Sequence, residues 1–169
     1  MDDIARELGM SKKTLYQYVN NKADLINQIF EQHIFEEQCI MDQYKEESKD
    51  AVDEILKIAR YVIRQVRKYS PTILYDLQKY YREIWKQMDA HDSKRIMKII
   101  RENMERGMEE GLYRLDMSPD IISRLYTAKS SMVSNADIFP IQEYPMEQLF
   151  KEHIYYHIRG IASPILLER

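Results

Sequence analysis

The sequence predicts an all-α fold, and three observations support that prediction. Apolar residues recur at intervals of three and four along most of the chain, which is the spacing of amphipathic helices. Runs that alternate apolar and polar residues between turn dipeptides are missing, so no sheet is predicted. The chain has only four glycines, and their positions exclude the glycine-rich loops that bind phosphates.

Composition places the chain among ordinary globular proteins. Its 169 residues suffice for one or two domains, 44% of them are hydrophobic and 31% are charged. No window approaches the ~20 apolar residues of a membrane-spanning helix, and the N-terminus lacks the apolar run of a signal peptide. Cys39 is the only cysteine, so neither an intramolecular disulfide nor an all-cysteine metal site can form. We therefore expect a cytoplasmic protein that does not enter a membrane.

Beyond the N-terminal segment, apolar stripes predict a succession of long helices, the first of which begins at about Lys22. Pro71 breaks the second of them, because the residue before a proline is pushed out of the α region. Gly111 suits the position after a helix, and Pro119 suits the first turn of the next one. A loop with two prolines spans 135–145, and the last long helix ends before Pro164.

The opening stretch, MDDIARELGMSKKTLYQYVNNKADL, contains two short helical patterns joined at Gly9. Ser11 can cap the second helix by accepting backbone N–H hydrogen bonds. Five apolar side chains share an inner face: Ile4, Ala5, Leu8, Leu15 and Val19. A glycine between two short helices that cross steeply is typical of a helix-turn-helix motif.

Polar side chains on the opposite face of the second helix suit nucleic acid. Lys13 and Gln17 lie there, with Tyr16 on the flank. Lysine can bond guanine and glutamine can bond adenine in the major groove, while tyrosine hydroxyls suit phosphates. Residues 9–22 hold three lysines and no acid, whereas residues 31–54 hold nine acids, so DNA would meet the first segment. The competing interpretation is a solvated face of a helical bundle.

The stretch I-A-R-E-L-G-M-S-K-K-T-L-Y-Q-Y-V-N-N-K-A-D-L resembles the signature of the TetR family of bacterial transcriptional regulators. That signature runs roughly I-A-x-x-x-G-V-S-x-x-x-L-Y-x-x-F-x-x-K-x-x-L. Eight residues match at the same spacing: Ile4, Ala5, Gly9, Ser11, Leu15, Tyr16, Lys22 and Leu25. The resemblance covers residues 2–25, and the remainder agrees in helical architecture only. It implies a helix-turn-helix DNA-binding domain over residues 1–24 and a helical ligand-binding and dimerisation domain over residues 25–169.

The resemblance also implies which residues contact DNA. Five correspond to positions where the family grips the phosphate backbone: Ser11, Lys12, Tyr16, Tyr18 and Lys22. Three correspond to positions that approach base edges or vary with specificity: Lys13, Thr14 and Gln17.

Three departures from the family pattern bear on DNA binding. Val19 stands where the family has phenylalanine, and Lys13 stands where glycine or proline is frequent. The family also has a helix ahead of the position of Met1, which packs over the inner face. We expect a segment to precede Met1, with a truncated chain as the alternative, and we expect poor DNA binding without that helix.

For the rest of the chain, the resemblance implies a ligand cavity and a pair of final helices that dimerise across a two-fold axis. Aromatic and methionine side chains suit an adaptable apolar pocket, although each is as readily a core residue. The pocket candidates are Tyr61, Tyr75, Tyr80, Trp85, Met88, Met104 and Met108. The dimer candidates are Ile122, Leu125, Tyr126, Met132, Leu149, Ile154, Tyr155 and Ile158.

The resemblance implies a homodimeric, ligand-responsive repressor that an unidentified small-molecule effector releases from a palindromic double-stranded DNA operator. The alternative is a helical ligand-binding or protein-interaction module without DNA binding. A helical enzyme is disfavoured, since the sequence offers no nucleophile–base pair and no metal motif. His153 and His157 lie one turn apart, but the glutamate of the metalloprotease motif does not follow the first of them. No metal and no cofactor are therefore predicted.

Overall fold

The computed structural model describes residues 1–68, 76–77, 79–133, 135, 137–140 and 142–167. Its helices, in chain order, are α1 (Asp2–Glu7), α2 (Lys12–Leu15), α3 (Lys22–Glu47), α4 (Ala51–Lys68), α5 (Arg82–Glu109), α6 (Pro119–Val133), α7 (Met146–Ile161) and α8 (Pro164–Leu167). Within these residues no strand forms, and one isolated bridge pairs Tyr113 with Ala162. None of the described helices is long and apolar enough to cross a membrane. The all-α prediction is confirmed.

Local sequence signals located several helix ends correctly. Helix α3 begins at Lys22 and α6 begins at Pro119, as predicted. The predicted break at Pro71 lies outside the described residues. Pro164 opens the short helix α8, which the sequence analysis did not predict. We call residues 1–24 the head and residues 25–169 the body; the boundary between them falls inside the first turn of α3.

A small apolar core holds the head together. Ala5, Leu15 and Val19 are buried, and four half-buried side chains pack against them: Met1, Ile4, Met10 and Leu25. Leu8 departs from the prediction, because 57% of it is exposed. It is the C-cap residue of α1 and lies at the turn rather than between the two helices.

The core of the body forms where α4, α5 and α7 meet the turn after α5. Its buried apolar members are Ala51, Ile55, Ile100, Met104, Leu112, Tyr113 and Ile161. The Tyr113 hydroxyl donates to Asn103 Oδ1 at 3.0 Å, and Asn103 Nδ2 donates to the Ala51 carbonyl at 2.8 Å. These bonds satisfy polar groups that would be costly to bury unpaired. Gly107 is required beneath the ring, since a Cβ there would lie 2.1 Å from Tyr113 Cδ2.

Arg106 of α5 joins that helix to the turn between α3 and α4. Its Nη1 lies 3.0 Å from Glu54 Oε2, and its Nη2 donates to the Ser48 carbonyl at 2.8 Å. Its Nε bonds Glu110 Oε1 at 2.8 Å, and the second oxygen of Glu110 accepts from the Ala51 amide at 2.7 Å. Because Glu54 is buried, its carboxylate is paired with this arginine rather than with water.

Candidate DNA-binding surface

The turn between α1 and α2 has the geometry of a helix-turn-helix. Gly9 has φ of +66°, a left-handed conformation that glycine adopts without steric cost. Ser11 then caps α2, because its Oγ accepts the Thr14 N–H at 3.0 Å. The Thr14 hydroxyl lies 2.8 Å from the same Ser11 oxygen. These bonds fix where α2 begins and leave the hydroxyls of both residues already engaged.

The outer face of α2 and of the turn that follows it is exposed. Lys13, Gln17 and Tyr18 are exposed, and 44% of Tyr16 is accessible. Leu15 is buried on the opposite side of the same helix. The division between an anchored face and a free polar face, predicted from spacing, is therefore present.

Lys12 already has a partner on α1. Its Nζ lies 3.0 Å from the carboxylate of Asp2, and both side chains are at least half exposed. The hydrogen bond that Lys12 donates to Asp2 and the attraction between the two charges raise the pKa of Lys12. A phosphate that binds Lys12 must therefore compete with this surface pair, which is weak in water.

The start of α3 is ordered by local caps and touches the body. Asn21 Oδ1 accepts the Asp24 N–H at 2.9 Å, and Asp24 Oδ2 accepts the Asn20 N–H at 2.7 Å. The Lys22 ammonium lies 5.6 Å from the centre of the Tyr81 ring, within the range of a cation–π contact. Asp24 and Tyr81 were not singled out from the sequence, because neither stands at a distinctive motif position.

Comparison with known proteins agrees with this geometry. The family model described as "Bacterial regulatory proteins, tetR family" matches residues 1–29. YvaF of Bacillus subtilis (strain 168), described as an uncharacterized HTH-type transcriptional regulator, is 26% identical over 151 residues, which span 89% of this chain and 75% of that protein. The chain is similar to the TetR family in its helix-turn-helix segment, which the family model covers. It is a helix-turn-helix transcriptional regulator, and the resemblance stated from eight residues is confirmed.

Solved structures of two regulators share the fold over nearly the whole chain. A transcriptional regulator from Cytophaga hutchinsonii ATCC 33406 has a TM-score of 0.74 and 15% identity, and the match covers 96% of this chain and 88% of that one. E. coli NemR in its reduced form has a TM-score of 0.69 and 14% identity, covering 97% and 87% of the two chains. At such low identity these likenesses concern the fold alone. They show that the helical architecture of the body is shared with these two proteins.

Helix α3 is tied to α4 and α5 through the buried carboxylate of Glu37. Arg95 of α5 pairs with it, with 2.7 Å between Nη2 and Oε2. Tyr61 of α4 donates its hydroxyl to Oε1 at 3.3 Å, and His33 lies one turn away on α3 itself. Glu37 therefore joins three helices, which the sequence analysis had not predicted because the partners are far apart in the chain.

The predicted pocket residues are dispersed through the body. Tyr61 and Met104 are buried, whereas 64% of Tyr80 is exposed. Three others are half-buried on α5: Trp85, Met88 and Met108. Tyr75 lies outside the described residues. A cavity of about 500 Å³ opens instead between α6 and α7, and none of the described candidates lines it.

The predicted dimer residues divide into a surface group and an internal group. Leu125, Met132 and Tyr155 are at least half exposed. Three more are half-buried: Ile122, Leu149 and Ile158. Ile154 is buried within the chain, and Tyr126 packs its ring 4.5 Å from that of His153. Ile154 is thus a core residue of this chain, since the apolar stripe of α7 supplies its own packing as well as a surface.

The two histidines of α7 serve the packing of α6 on α7. Both are buried, and the Tyr126 ring lies 4.5 Å from His153 and 4.6 Å from His157. His153 Nε2 lies 3.0 Å from Ser130 Oγ. Burial lowers the pKa of each imidazole to about 4, so both are neutral at pH 7.

Proposed function

We propose that the chain is a homodimeric repressor that binds a palindromic operator and leaves it when a small molecule binds the body. One observation supports DNA reading above the others. Lys13 of α2 and Gln17 of the turn that follows it are exposed, whereas Leu15 on the opposite side of α2 is buried. A helix held in this way can enter the major groove without losing its own packing.

The remaining polar residues divide by position around this reading face. Lys13 and Gln17 have the chemistry to bond base edges, while Tyr16, Tyr18 and Lys22 suit phosphates. Ser11 and Thr14 contribute mainly by fixing the start of α2, because their hydroxyls bond each other. The preference for a DNA sequence would then depend on Lys13 and Gln17. The overall affinity for DNA would depend on Tyr16, Tyr18 and Lys22.

Dimerisation is proposed through α6 and α7. Leu125 and Met132 of α6 and Tyr155 of α7 expose apolar surface that a second copy could cover. A two-fold axis would place the same patch on both partners and present two reading helices to one side of the DNA. Half-sites roughly 34–36 Å apart, arranged as a near-palindrome, are expected on that geometry.

Release by an effector needs a path from the body to α2, and α3 provides one. Helix α3 runs unbroken from Lys22, beside the reading unit, to Glu47, beside the core of the body. The Glu37–Arg95 pair and the Lys22–Tyr81 contact both join α3 to α5 or its N-cap. An effector that binds one arrangement of the body helices more tightly than the other would shift the position of α3.

The test is a binding titration with DNA from the neighbouring intergenic region at several salt concentrations. Specific binding should weaken steeply with salt, because released counterions dominate the free energy. Lys13→Ala should cost about 1–3 kcal/mol on the preferred sequence, while Lys22→Ala should weaken binding to all sequences and lower the salt slope by about one. Lys98→Ala is the matched control, since Lys98 is an exposed lysine of the body.

Two outcomes would refute the proposal. Affinity that depends on neither salt nor sequence would exclude an operator-binding protein. If Tyr16→Ala and Lys22→Ala together left DNA binding unchanged, the helical module without DNA binding would be the better description.

A further inference from the structure

The cavity between α6 and α7 has the size and walls of a small-molecule site. Its volume of about 500 Å³ lies within the range of pockets that hold drug-sized ligands. Helix α6 contributes Met132 and Val133, the connecting loop contributes Phe139 and Tyr144, and α7 contributes Leu149. Such walls favour an apolar molecule over a sugar or a nucleotide, because few of their groups can replace hydrogen bonds to water.

Aromatic side chains dominate two sides of this cavity. Phe139 and Tyr144 meet edge to face, with ring centres 5.5 Å apart. Tyr156 lines the cavity from α7. Aromatic rings pack best against other rings in offset or edge-on geometry, so an aromatic ligand fits this lining.

A lysine supplies the positive charge of the cavity. The Lys129 ammonium lies 4.3 Å from the centre of the Tyr156 ring, and the side chain is half-buried. Among the described residues, no carboxylate lies within 4 Å of this nitrogen. Glu152 also lines the cavity but is exposed to solvent, and the nearby Lys151 is paired with Glu147 at 2.9 Å. Lys129 is therefore the charged side chain best placed to bind an anionic group of a ligand.

The floor of the cavity is polar but uncharged. His153 lines it, is buried, and has Nε2 3.0 Å from Ser130 Oγ. Burial, followed by repulsion from Lys129, lowers the pKa of His153. The positive field of Lys129 thus reaches the floor, where a neutral imidazole would not compete for an anion.

We propose that this cavity binds an aromatic molecule carrying one negative charge, with its rings against the aromatic walls and its anionic group at Lys129. Only the assignment of such a ligand as the effector rests on the proposed function. Binding itself is tested without DNA, so the two can fail separately.

The cavity adjoins the proposed dimer surface, because Met132 and Leu149 belong to both. A partner chain would therefore lie beside the mouth. Occupancy must be measured on the protein in its own oligomeric state, as bound probe per chain.

The experiment compares two fluorescent probes that differ in charge. 1-Anilinonaphthalene-8-sulfonate carries a sulfonate, and N-phenyl-1-naphthylamine has the same rings without it. The full chain should bind the sulfonate at one site per chain. Lys129→Met should weaken that binding at least about tenfold, as expected for a lost hydrogen bond to a charged group, and leave the neutral probe within about twofold. Lys151→Met, on a neighbouring lysine that does not line the cavity, should change neither.

A second variant tests the location. Gln148 is exposed and lines the cavity, so Gln148→Trp should obstruct it without disturbing the fold and weaken both probes at least about tenfold. Ile121→Ala, on an exposed apolar residue of α6 outside the cavity, should weaken neither. Unsaturable binding, equal effects of the two lysine variants, or no effect of Gln148→Trp would overturn the proposal. Failure of the dimer to bind either probe would indicate that the partner chain fills the cavity, and would overturn it as well.

Discussion

The head and the body of this molecule are stabilised in different ways. The head fully buries only three side chains, and its polar contacts, such as Lys12–Asp2, lie at the surface. The body encloses a larger apolar cluster together with bonded polar groups such as Asn103 and Glu54. Surface pairs contribute little, whereas a buried group left without its partner is costly. The head therefore depends on a few apolar contacts, and the body depends on keeping its buried groups paired.

The largest effect should come from breaking a buried pair of the body. Arg106→Met leaves the buried Glu54 carboxylate without its directly paired cation, so the free energy of unfolding should fall by about 3–5 kcal/mol. Urea denaturation followed by far-UV circular dichroism measures this loss. Arg101→Met is the control, because Arg101 pairs with Glu105 at the surface. Equal losses in the two variants would mean that burial of Glu54 does not set the cost.

The head should respond locally to the loss of a single apolar side chain. Leu15 is one of the three buried members of its core, so Leu15→Ala should cost about 3 kcal/mol there. Hydrogen exchange should show lost protection of the amides of α1 and α2, with unchanged protection in α5. Loss of protection throughout α5 would show instead that the head and the body unfold as one unit.

A steric change tests how tightly the body is packed. Gly107→Ala places a Cβ against the ring of Tyr113 and should destabilise the chain by about 2–3 kcal/mol. Gly160→Ala is the matched control, because nothing lies within 4 Å of the added carbon and alanine favours the helix by roughly 0.5–1 kcal/mol. Thermal melts should move in opposite directions, and a Gly107→Ala melt at or above the wild-type temperature would contradict the packing described.

Between about pH 6.5 and 4, acid should weaken the body more than the head, since all four histidines lie beyond residue 24. His153 and His157 have a pKa of about 4 when folded, against roughly 6.5 when unfolded. The unfolded chain therefore binds more protons between these values, so stability is constant above about pH 7 and falls as the pH drops from about 6.5 to 4. For one histidine these two pKa values correspond to about 3 kcal/mol by pH 4, so urea titrations across this range should show a loss of at least that size.

The double variant His153→Gln/His157→Gln should flatten that part of the pH profile. His91→Gln, on an exposed histidine of the body, should leave it unchanged. If the double variant kept the acid slope of the wild type, these histidines would not be the cause of that slope.

Structural features that depend on a few neighbouring residues could be predicted from the sequence. Ser11 as a cap, Gly9 as the turn and Lys22 as the start of α3 each depend on adjacent backbone geometry. Apolar periodicity also indicated the inward face of α4, where Ile55 and Ala59 are buried, but Ile29 of the predicted stripe on α3 is exposed. It misplaced Leu8, because a helical projection does not show where the neighbouring helix ends.

Contacts between distant parts of the chain could not be predicted. The Arg106–Glu54 and Glu37–Arg95 pairs depend on how the long helices cross. The cavity beside Lys129 depends on gaps left after packing, and periodicity identifies which residues face inward without showing where those gaps lie. The predicted pocket residues therefore remain predictions, and the structure offers a different cavity.

Because α3 is continuous, a small tilt at one point of the helix produces a larger displacement at its N-terminus. At about 1.5 Å per residue, Lys22 lies roughly 22 Å along the helix from Glu37, so a tilt of about 10° at Glu37 displaces Lys22 by roughly 4 Å. A hydrogen bond to a phosphate or a base edge tolerates only a few tenths of an ångström around roughly 2.9 Å. A rearrangement too small to disturb the packing of α4 and α5 can therefore separate the reading face from its groove, because the long helix acts as a lever arm.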